Sequence, residues 1–309
     1  MTIAAIDIGT NTVLLLVARV DAAGHITPLV YEQRVPRLGK GVDAQKNLQP
    51  ESMQRVLRVL REYKAVIANY DIQAVVVAGT SAVRDAKNRE ELATLIKDET
   101  GFDLEVLGGQ DEALWTYRGA ISGAPGIHRA TVLDIGGGST EITTGDLQAI
   151  VCKASLNIGS VRLTERCFKN DPPRREDLDA AIEIVRDELT KIGDLDCAGS
   201  TLVGVAGTAT SLAILAQGLR EFRIEAVTNY KLTFQAVDRL FKTLLQMPSE
   251  TIKGLSSVME GRHDVITAGT LILHQLMRHY AFDEMVVSER GVRYGLVIRE
   301  WEKREGVME

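Results

Sequence analysis

The sequence predicts an α/β protein made of two related domains, and two observations support this fold class. Short apolar segments rich in β-branched residues alternate with longer segments whose apolar residues recur at helical spacing, as is typical of α/β folds. Two different motifs also recur at nearly one offset. Asp-Ile-Gly begins at Asp7 and again, 127 positions later, at Asp134, while Val-Ala-Gly-Thr begins at Val77 and, 128 positions later, at Val205. Chance does not account for both repeats, so we expect a duplicated domain.

The first half of the chain begins with three predicted strands. Ile3–Ile8, Val13–Val20 and Ile26–Val35 are apolar segments separated by turn residues, which predicts an antiparallel meander. Behind Pro50, apolar residues at helical spacing predict a helix over Glu51–Asn69. The other predicted elements of this half are a strand at Ala74–Ala78, a helix at Asn88–Thr100, a strand at Leu104–Leu107 and a helix at Asp111–Ile121.

The second half starts after Pro125 and Gly126 interrupt the pattern, and it repeats the meander. Its predicted strands are Thr131–Ile135, Glu141–Thr144 and Ala149–Ser155. Predicted helices follow at Ser160–Phe168, Arg175–Ile192, Thr208–Gln217, Phe234–Leu245 and Arg262–His279, then a short strand at Met285–Val287 and a last helix at Tyr294–Lys303. We place the first domain at residues 1–124 plus 297–309 and the second at 125–296, with the last helix packed back on the first.

Composition excludes several classes of protein. The 309 residues are 45% hydrophobic and 25% charged, as in ordinary globular proteins. A net charge of −6 argues against a protein that coats nucleic acid, although a local basic groove for a polyanion stays open. Three scattered cysteines without a CxxC pair indicate neither a disulfide framework nor a zinc site. With no basic leader and no apolar run near the about 20 residues that span a bilayer, we expect a cytoplasmic protein with no membrane partner.

The segment Asp134–Glu141 reads D-I-G-G-G-S-T-E and carries the clearest chemistry. Three glycines leave the backbone bare after a strand and tolerate positive φ, so successive N–H groups can form an anion-binding nest. Ser139 adds a hydroxyl donor, and the carboxylates of Asp134 and Glu141 suit a hard cation such as Mg²⁺. The alternative is a plain hairpin turn with flanking charges.

Three further turns follow predicted strands and are weaker candidates for anion binding. Residues 9–12 (Gly-Thr-Asn-Thr) form a second version of the first turn, with a simple hairpin as the alternative. Residues 79–81 and 207–210 lead toward helices, whose N-termini bind anions, and the site at Gly207 is the stronger because a clear helix pattern follows it. The alternative there is N-capping by Thr208 or Thr210, which can coexist with phosphate binding. Neither G-x-x-x-x-G-K-[ST] nor G-x-G-x-x-G occurs, which disfavours P-loop and Rossmann sites.

Taken together, the motifs resemble those of the exopolyphosphatase/guanosine pentaphosphate phosphatase family, which belongs to the actin and sugar-kinase-like superfamily. In order from Asp7 to Gly295 they are D-I-G-T-N-T, G-T-S-A-V-R-D-A, G-G-Q-D-E-A, D-I-G-G-G-S-T-E, G-S-V-R-L-T-E, A-G-T-A-T-S and S-E-R-G-V-R-Y-G. The resemblance implies two ribonuclease-H-like (actin-like) domains with an active-site cleft between them. It also implies Mg²⁺ as cofactor, with K⁺ stimulation, and a homodimer.

The resemblance assigns the catalytic base to Glu112, although Gly108 and Asp111 stand where the family has serine and glutamate. Phosphoanhydride hydrolysis needs a carboxylate to orient or deprotonate water, which agrees with this role. We expect Mg²⁺ at Asp134 and Glu141. The predicted phosphate-binding residues are Gly9, Thr10, Asn11, Thr12, Arg84, Gly136, Gly137, Gly138, Ser139, Gly207 and Thr208. The basic residues assigned to the substrate path are Arg37, Lys40, Arg262, Arg290 and Arg293.

The expected function is therefore exopolyphosphatase activity, in which water removes terminal phosphates from inorganic polyphosphate. Guanosine pentaphosphate (pppGpp) is the alternative substrate, because the same residues would serve both. A kinase of the same superfamily and a non-catalytic sensor of polyphosphate or alarmone are weaker alternatives, since Glu112, Asp134 and Glu141 are all kept. His263 either touches substrate or caps a helix, whereas His274 and His279 are interpreted as structural.

Overall fold

The computed structural model describes residues 1–124, 126–146, 149–193 and 195–306. Within it the chain forms two compact units, residues 1–119 with 292–309 and residues 120–291. The domain boundaries expected from the sequence, between residues 124 and 125 and between residues 296 and 297, stay a prediction. Pro125 and the C-terminal residues 307–309, which those boundaries include, lie outside the described residues.

The first unit contains a five-stranded mixed sheet. Its strands are β1 (Thr2–Ile8), β2 (Val13–Val20), β3 (Ile26–Arg34), β4 (Ala74–Gly79) and β5 (Leu104–Val106). They are ordered β3-β2-β1-β4-β5. The first three form the predicted antiparallel meander, and β4 adds to β1 in parallel. Asp7, near the carboxyl end of β1, therefore lies between Leu14 of β2 and Ala78 of β4.

The second unit contains a six-stranded sheet that repeats this topology. Its strands are β6 (Arg129–Ile135), β7 (Thr140–Asp146), β8 (Ile150–Leu156), β9 (Thr201–Val205), β10 (Lys231–Thr233) and β11 (Glu284–Val287), ordered β10-β11-β9-β6-β7-β8. Again a meander is followed by a strand, β9, that adds in parallel to the first strand of the meander. The predicted α/β class and the predicted duplication are confirmed.

Thirteen α-helices connect the strands in the described residues. They are α1 (Val42–Gln45), α2 (Pro50–Ile67), α3 (Ser81–Asp85), α4 (Arg89–Thr100), α5 (Gly109–Ile121), α6 (Ser160–Cys167), α7 (Arg175–Ile192), α8 (Ala206–Ala216), α9 (Ile224–Val227), α10 (Phe234–Leu244), α11 (Ser249–Lys253), α12 (Ile266–His279) and α13 (Val292–Glu305). Helix α7 has the predicted bounds. The predicted start of the last long helix of unit 2 at Arg262 is wrong, because residues around Gly261 (φ 77°) form tight turns and α12 begins at Ile266.

Each sheet is packed against helices through apolar side chains. In the first unit, β1 and β2 bury one face against α2 and α4, through residues such as Ile6, Leu57 and Ile96. The other face packs against α13, with Tyr294 and Leu296 among the buried residues. The last helix therefore lies on the first unit, as predicted. None of the described helices is both long enough and apolar enough to cross a membrane.

Candidate active site

Backbone hydrogen bonds hold the turn between β1 and β2. Gly9 N donates to Thr12 O at 2.9 Å, and Gly39 N donates to Thr10 O at 2.8 Å. A Cβ added at Gly39 would lie 2.3 Å from Thr10 Cγ2, so only glycine allows this approach. Arg37, with φ 53°, donates its amide to Asn11 O. Residues 37–40, with exposed Lys40, therefore lie beside the predicted phosphate-binding turn.

The turn between β6 and β7 repeats this geometry, because Gly136 N donates to Ser139 O at 3.0 Å. None of Gly136, Gly137 and Gly138 has a positive φ, so the turn does not use the tolerance for positive φ that glycine offers. A Cβ added at Gly159 would lie 2.5 Å from the Gly137 carbonyl, so the close packing against this turn requires glycine at position 159. Within the described chain, the amides of Gly137 and Gly138 donate to no backbone carbonyl, as an anion-binding turn requires.

Two buried carboxylates lie on adjacent strands behind this turn. Asp134 of β6 faces Glu141 of β7, and Glu141 faces Ser155 of β8. The Ser155 hydroxyl donates to Glu141 Oε1 at 2.7 Å, which fixes the carboxylate. Sequence reasoning missed Ser155, which only the register of β8 reveals.

This pair suits Mg²⁺ rather than a fully protein-ligated metal. The described residues contain no cluster of three or more His, Cys, Asp or Glu side chains that would hold a metal. Magnesium commonly binds one or two carboxylates and keeps waters or substrate phosphates as its other ligands. The residues present, Asp134 and Glu141, fit that donor set.

Glu112 lies in the first turn of α5 and is buried, with 7% of its surface exposed. Its Oε2 accepts a hydrogen bond from Arg84 Nη1 at 2.8 Å. The same nitrogen donates to Leu107 O at 2.9 Å, which ties Arg84 to the end of β5. Glu112 Oε1 accepts no hydrogen bond from the described residues. Burial raises the pKa of Glu112, and the Arg84 guanidinium opposes that rise.

Asp7 belongs to the same local charge system, although sequence reasoning assigned it no role in the site. Its carboxylate is buried, and Oδ1 has no hydrogen-bond partner among the described residues. Burial, and after it the negative charge of Glu112, raise the pKa of Asp7 to about 7, although Arg293 opposes both effects. The duplication itself was the available signal, because Asp7 is the counterpart of Asp134.

The start of α8 carries a strained residue and a buried arginine. Ala206 has φ 61°, a left-handed conformation that costs a residue with a Cβ about 1 kcal/mol. Thr208 Oγ1 donates to Ile135 O at 3.0 Å, which joins this turn to the end of β6. Arg262 is buried and donates from Nη1 to Gly207 O at 3.0 Å and to Ser211 Oγ at 3.1 Å. This placement makes Arg262 a support of the turn and gives no backing to its predicted place on the substrate path.

Arg293 and Arg290 also make intramolecular contacts. Arg293 is buried, donates from Nη1 to Leu15 O at 3.4 Å, and lies over the Tyr31 ring at 4.2 Å. Arg290 Nη1 donates to the carbonyl and hydroxyl oxygens of Ser122 at 3.2 and 3.3 Å. Each arginine therefore contacts residues of its own unit, and their predicted role on the substrate path has no support in these contacts.

The histidines have structural surroundings. His263 Nδ1 is 3.2 Å from Met259 O, and Nε2 is 3.8 Å from Glu250 Oε1. His274 is stacked between Phe234 and Phe241, with ring centroids 5.1 and 5.2 Å away. The packing of His274 agrees with its structural interpretation.

Comparison with known proteins identifies the family. A model of the Ppx/GppA phosphatase family matches residues 16–304. Exopolyphosphatase 2 of Mycobacterium tuberculosis is 34% identical to this chain, over 96% of the chain and 97% of that protein. The guanosine-5'-triphosphate,3'-diphosphate pyrophosphatase of Photobacterium profundum is 28% identical, over 95% of this chain and 58% of that protein.

Solved structures that resemble this fold belong to the same family. The crystal structure of the Aquifex aeolicus member of the Ppx/GppA family is 32% identical, covers 98% of both chains and superposes with a TM-score of 0.82. This likeness confirms the predicted fold class. Since the family match spans nearly the whole chain, the protein belongs to the Ppx/GppA phosphatase family.

Proposed function

We propose that the protein is an exopolyphosphatase that removes terminal phosphates from inorganic polyphosphate by Mg²⁺-assisted attack of water. One observation carries the proposal: Glu112 is a buried carboxylate that is oriented by Arg84 in a chain of the Ppx/GppA phosphatase family. A solvated surface glutamate would have neither the burial nor the fixed orientation. The named exopolyphosphatase relative supports polyphosphate as the substrate.

In the proposed reaction, Glu112 acts as general base. The Arg84 contact occupies Oε2, which leaves Oε1 to accept a hydrogen bond from the attacking water. The water oxygen bonds to the terminal phosphorus while its proton passes to Glu112. The bridging P–O bond breaks, and its electron pair leaves with the shortened chain. A base works best when its pKa lies near the working pH, which burial of Glu112 favours.

The second unit supplies phosphate and metal binding in this proposal. The amides of Gly137 and Gly138, with Ser139, would bind phosphate oxygens. Asp134 and Glu141 would hold Mg²⁺, which when bound neutralises charge on the phosphate oxygens. Position 14 of the first unit, the counterpart of Glu141, is a leucine. In this proposal, metal binding therefore belongs to the second unit and the general base to the first.

Guanosine pentaphosphate is the second candidate substrate. It is favoured by the relative from Photobacterium profundum, whose name gives a guanosine triphosphate-diphosphate as its substrate. Both substrates present a terminal phosphoanhydride, so the same general base would act on either.

The test follows phosphate release from long-chain polyphosphate, guanosine pentaphosphate and ATP in parallel, with Mg²⁺ and with or without K⁺. We expect release from polyphosphate, and the ratio of kcat/KM values then ranks the two phosphorylated substrates. Glu105→Gln, which alters a surface carboxylate on β5, is the matched control for Glu112→Gln. Consumption of ATP only when an acceptor is added would indicate a kinase and contradict the proposed hydrolase activity. Polyphosphate binding without any release of phosphate would instead indicate a non-catalytic sensor.

A further inference from the structure

The helix that carries Glu112 is attached to the last helix of the chain at two points. The first is a backbone contact between Gly295 of α13 and Trp115 of α5. A Cβ added at Gly295 would lie 1.9 Å from the Trp115 carbonyl oxygen and 2.5 Å from its carbonyl carbon. Because the obstacle is backbone, no change of rotamer could relieve the collision.

A glycine at position 295 calls for a steric reason of this kind. Glycine inside a helix costs about 0.5–1 kcal/mol relative to alanine, and Gly295 lies well within α13. Its φ is helical, so the position makes no demand for a left-handed backbone. The close approach of α5 is therefore what excludes a side chain.

The second attachment is an ion pair farther along the same two helices. Arg118 of α5 binds Glu302 of α13 through two hydrogen bonds, one of them 2.7 Å from Nη1 to Oε2. Glu302 is buried, with 7% of its surface exposed. The Arg118 guanidinium also lies over the Trp115 ring, 5.2 Å from its centroid. A bidentate pair of this kind, with a buried carboxylate and a half-exposed guanidinium, specifies geometry more than it adds stability.

These attachments act close to Glu112. Trp115 follows Glu112 by three residues, so the two side chains lie on one side of α5 about 4.5 Å apart along its axis. The contacts at Trp115 and at Arg118 together fix how closely α5 packs against α13 and where α5 lies along the axis of α13.

We propose that Gly295 and the Arg118–Glu302 pair are positioning residues for Glu112, which hold α5 at the depth where the Glu112 carboxylate meets Arg84 and the attacking water. The inference rests on the proposed function of Glu112. The inference gives α13 an indirect role in the reaction. Gly295, Arg118 and Glu302 would act through α5 and not by contact with the attacking water or the substrate phosphate.

The test compares Gly295→Ala and Glu302→Gln with Glu105→Gln. The control breaks a bidentate pair that Arg299 of the same helix makes with β5, at 2.6 Å for both bonds, and leaves the Gly295 and Arg118 contacts in place. An added methyl group must open the α5–α13 contact by about 1 Å, a misplacement that can lower a rate about 100-fold. We expect kcat to fall about 100-fold in Gly295→Ala and about 10-fold in Glu302→Gln. KM should stay within about twofold, and Glu105→Gln should match the wild type.

A second background separates positioning from general damage. If Gly295 acts through Glu112, Gly295→Ala should change the residual rate of Glu112→Gln by less than about threefold, because coupled residues are not additive. Another 100-fold loss in that background would overturn the inference. Glu302→Gln repeats the comparison should Gly295→Ala fail to fold.

A measurement independent of activity completes the test. In protein labelled with ¹³C at glutamate carboxyls, the titration midpoint of Glu112 should move by about half a pKa unit or more in Gly295→Ala, because burial and the Arg84 contact both depend on the position of α5. An unchanged midpoint would contradict positioning. A wild type that releases no phosphate from any substrate would instead contradict the proposed function, and the titration would still decide the role of Gly295.

Discussion

Replacing Asp7 with asparagine should make the protein more resistant to unfolding at alkaline pH. Burial raises the pKa of Asp7 from 3.8 to about 7. The folded state therefore binds a proton that the unfolded state releases, and the unfolding free energy falls as pH rises from about 4 to about 7. A shift of about three pKa units corresponds to about 4 kcal/mol across that window. Asparagine mimics the protonated carboxyl and removes this loss.

The assay is urea unfolding of wild type and Asp7→Asn at about pH 5 and about pH 8. Between these values the wild type should lose about 2–3 kcal/mol more than the variant, because unfolded Asp7 is ionised at both pH values whereas folded Asp7 is mostly protonated only at the lower one. Comparison of the two proteins cancels the titration of the other carboxylates, apart from the influence of Asp7 on Glu112. Equal pH dependence in the two proteins would refute the assignment of Asp7 as a buried carboxyl that holds its proton.

Three further predictions follow from single contacts. Arg84→Met removes the cation that opposes the raised pKa of Glu112, so the acid limb of the kcat profile should move upward by about 1–2 pH units, whereas Arg84→Lys should move it less. If the acid limb does not move, the limb does not report the ionisation of Glu112. Ser155→Ala removes the hydroxyl that fixes Glu141, so the Mg²⁺ concentration for half-maximal activity should rise about tenfold, and an unchanged requirement would place the metal elsewhere. Ala206→Gly should stabilise the protein to urea by about 1 kcal/mol, because φ is 61° there. Ala213→Gly, in the regular part of α8, should destabilise it, and the same sign for both would contradict the strain at Ala206.

Periodicity and turn chemistry predicted the long elements well. Val13–Val20 and Arg175–Ile192 have their predicted bounds, because each has a sustained pattern of apolar residues. Several elements of three to five residues were missed, for example α9 and β10, since such segments are too short for a periodic pattern. The duplication was visible because Asp-Ile-Gly recurs at Asp7 and Asp134. In the structure, the turns that follow share the same backbone hydrogen bond, although most of their residues differ.

Side-chain direction was the part of the site that the sequence did not contain. Arg262 and Arg293 belong to motifs rich in glycine, and their charge suggested phosphate, yet both are buried against backbone carbonyls. Asp7 was overlooked for the opposite reason. Its importance comes from burial and from an oxygen without a hydrogen-bond partner, properties that depend on neighbours far away in the chain. Glu112 was assigned by resemblance, and its Arg84 contact became visible only in the fold.

The most direct test of the account is the kcat for phosphate release from polyphosphate by Glu112→Gln, measured beside wild type with Mg²⁺ at saturating substrate. Glutamine keeps the shape of the side chain but cannot take a proton from water. We predict a fall in kcat of about 100-fold to 10,000-fold with little change in KM. A variant that releases phosphate at the rate of the wild type would contradict the assignment of Glu112 as the general base.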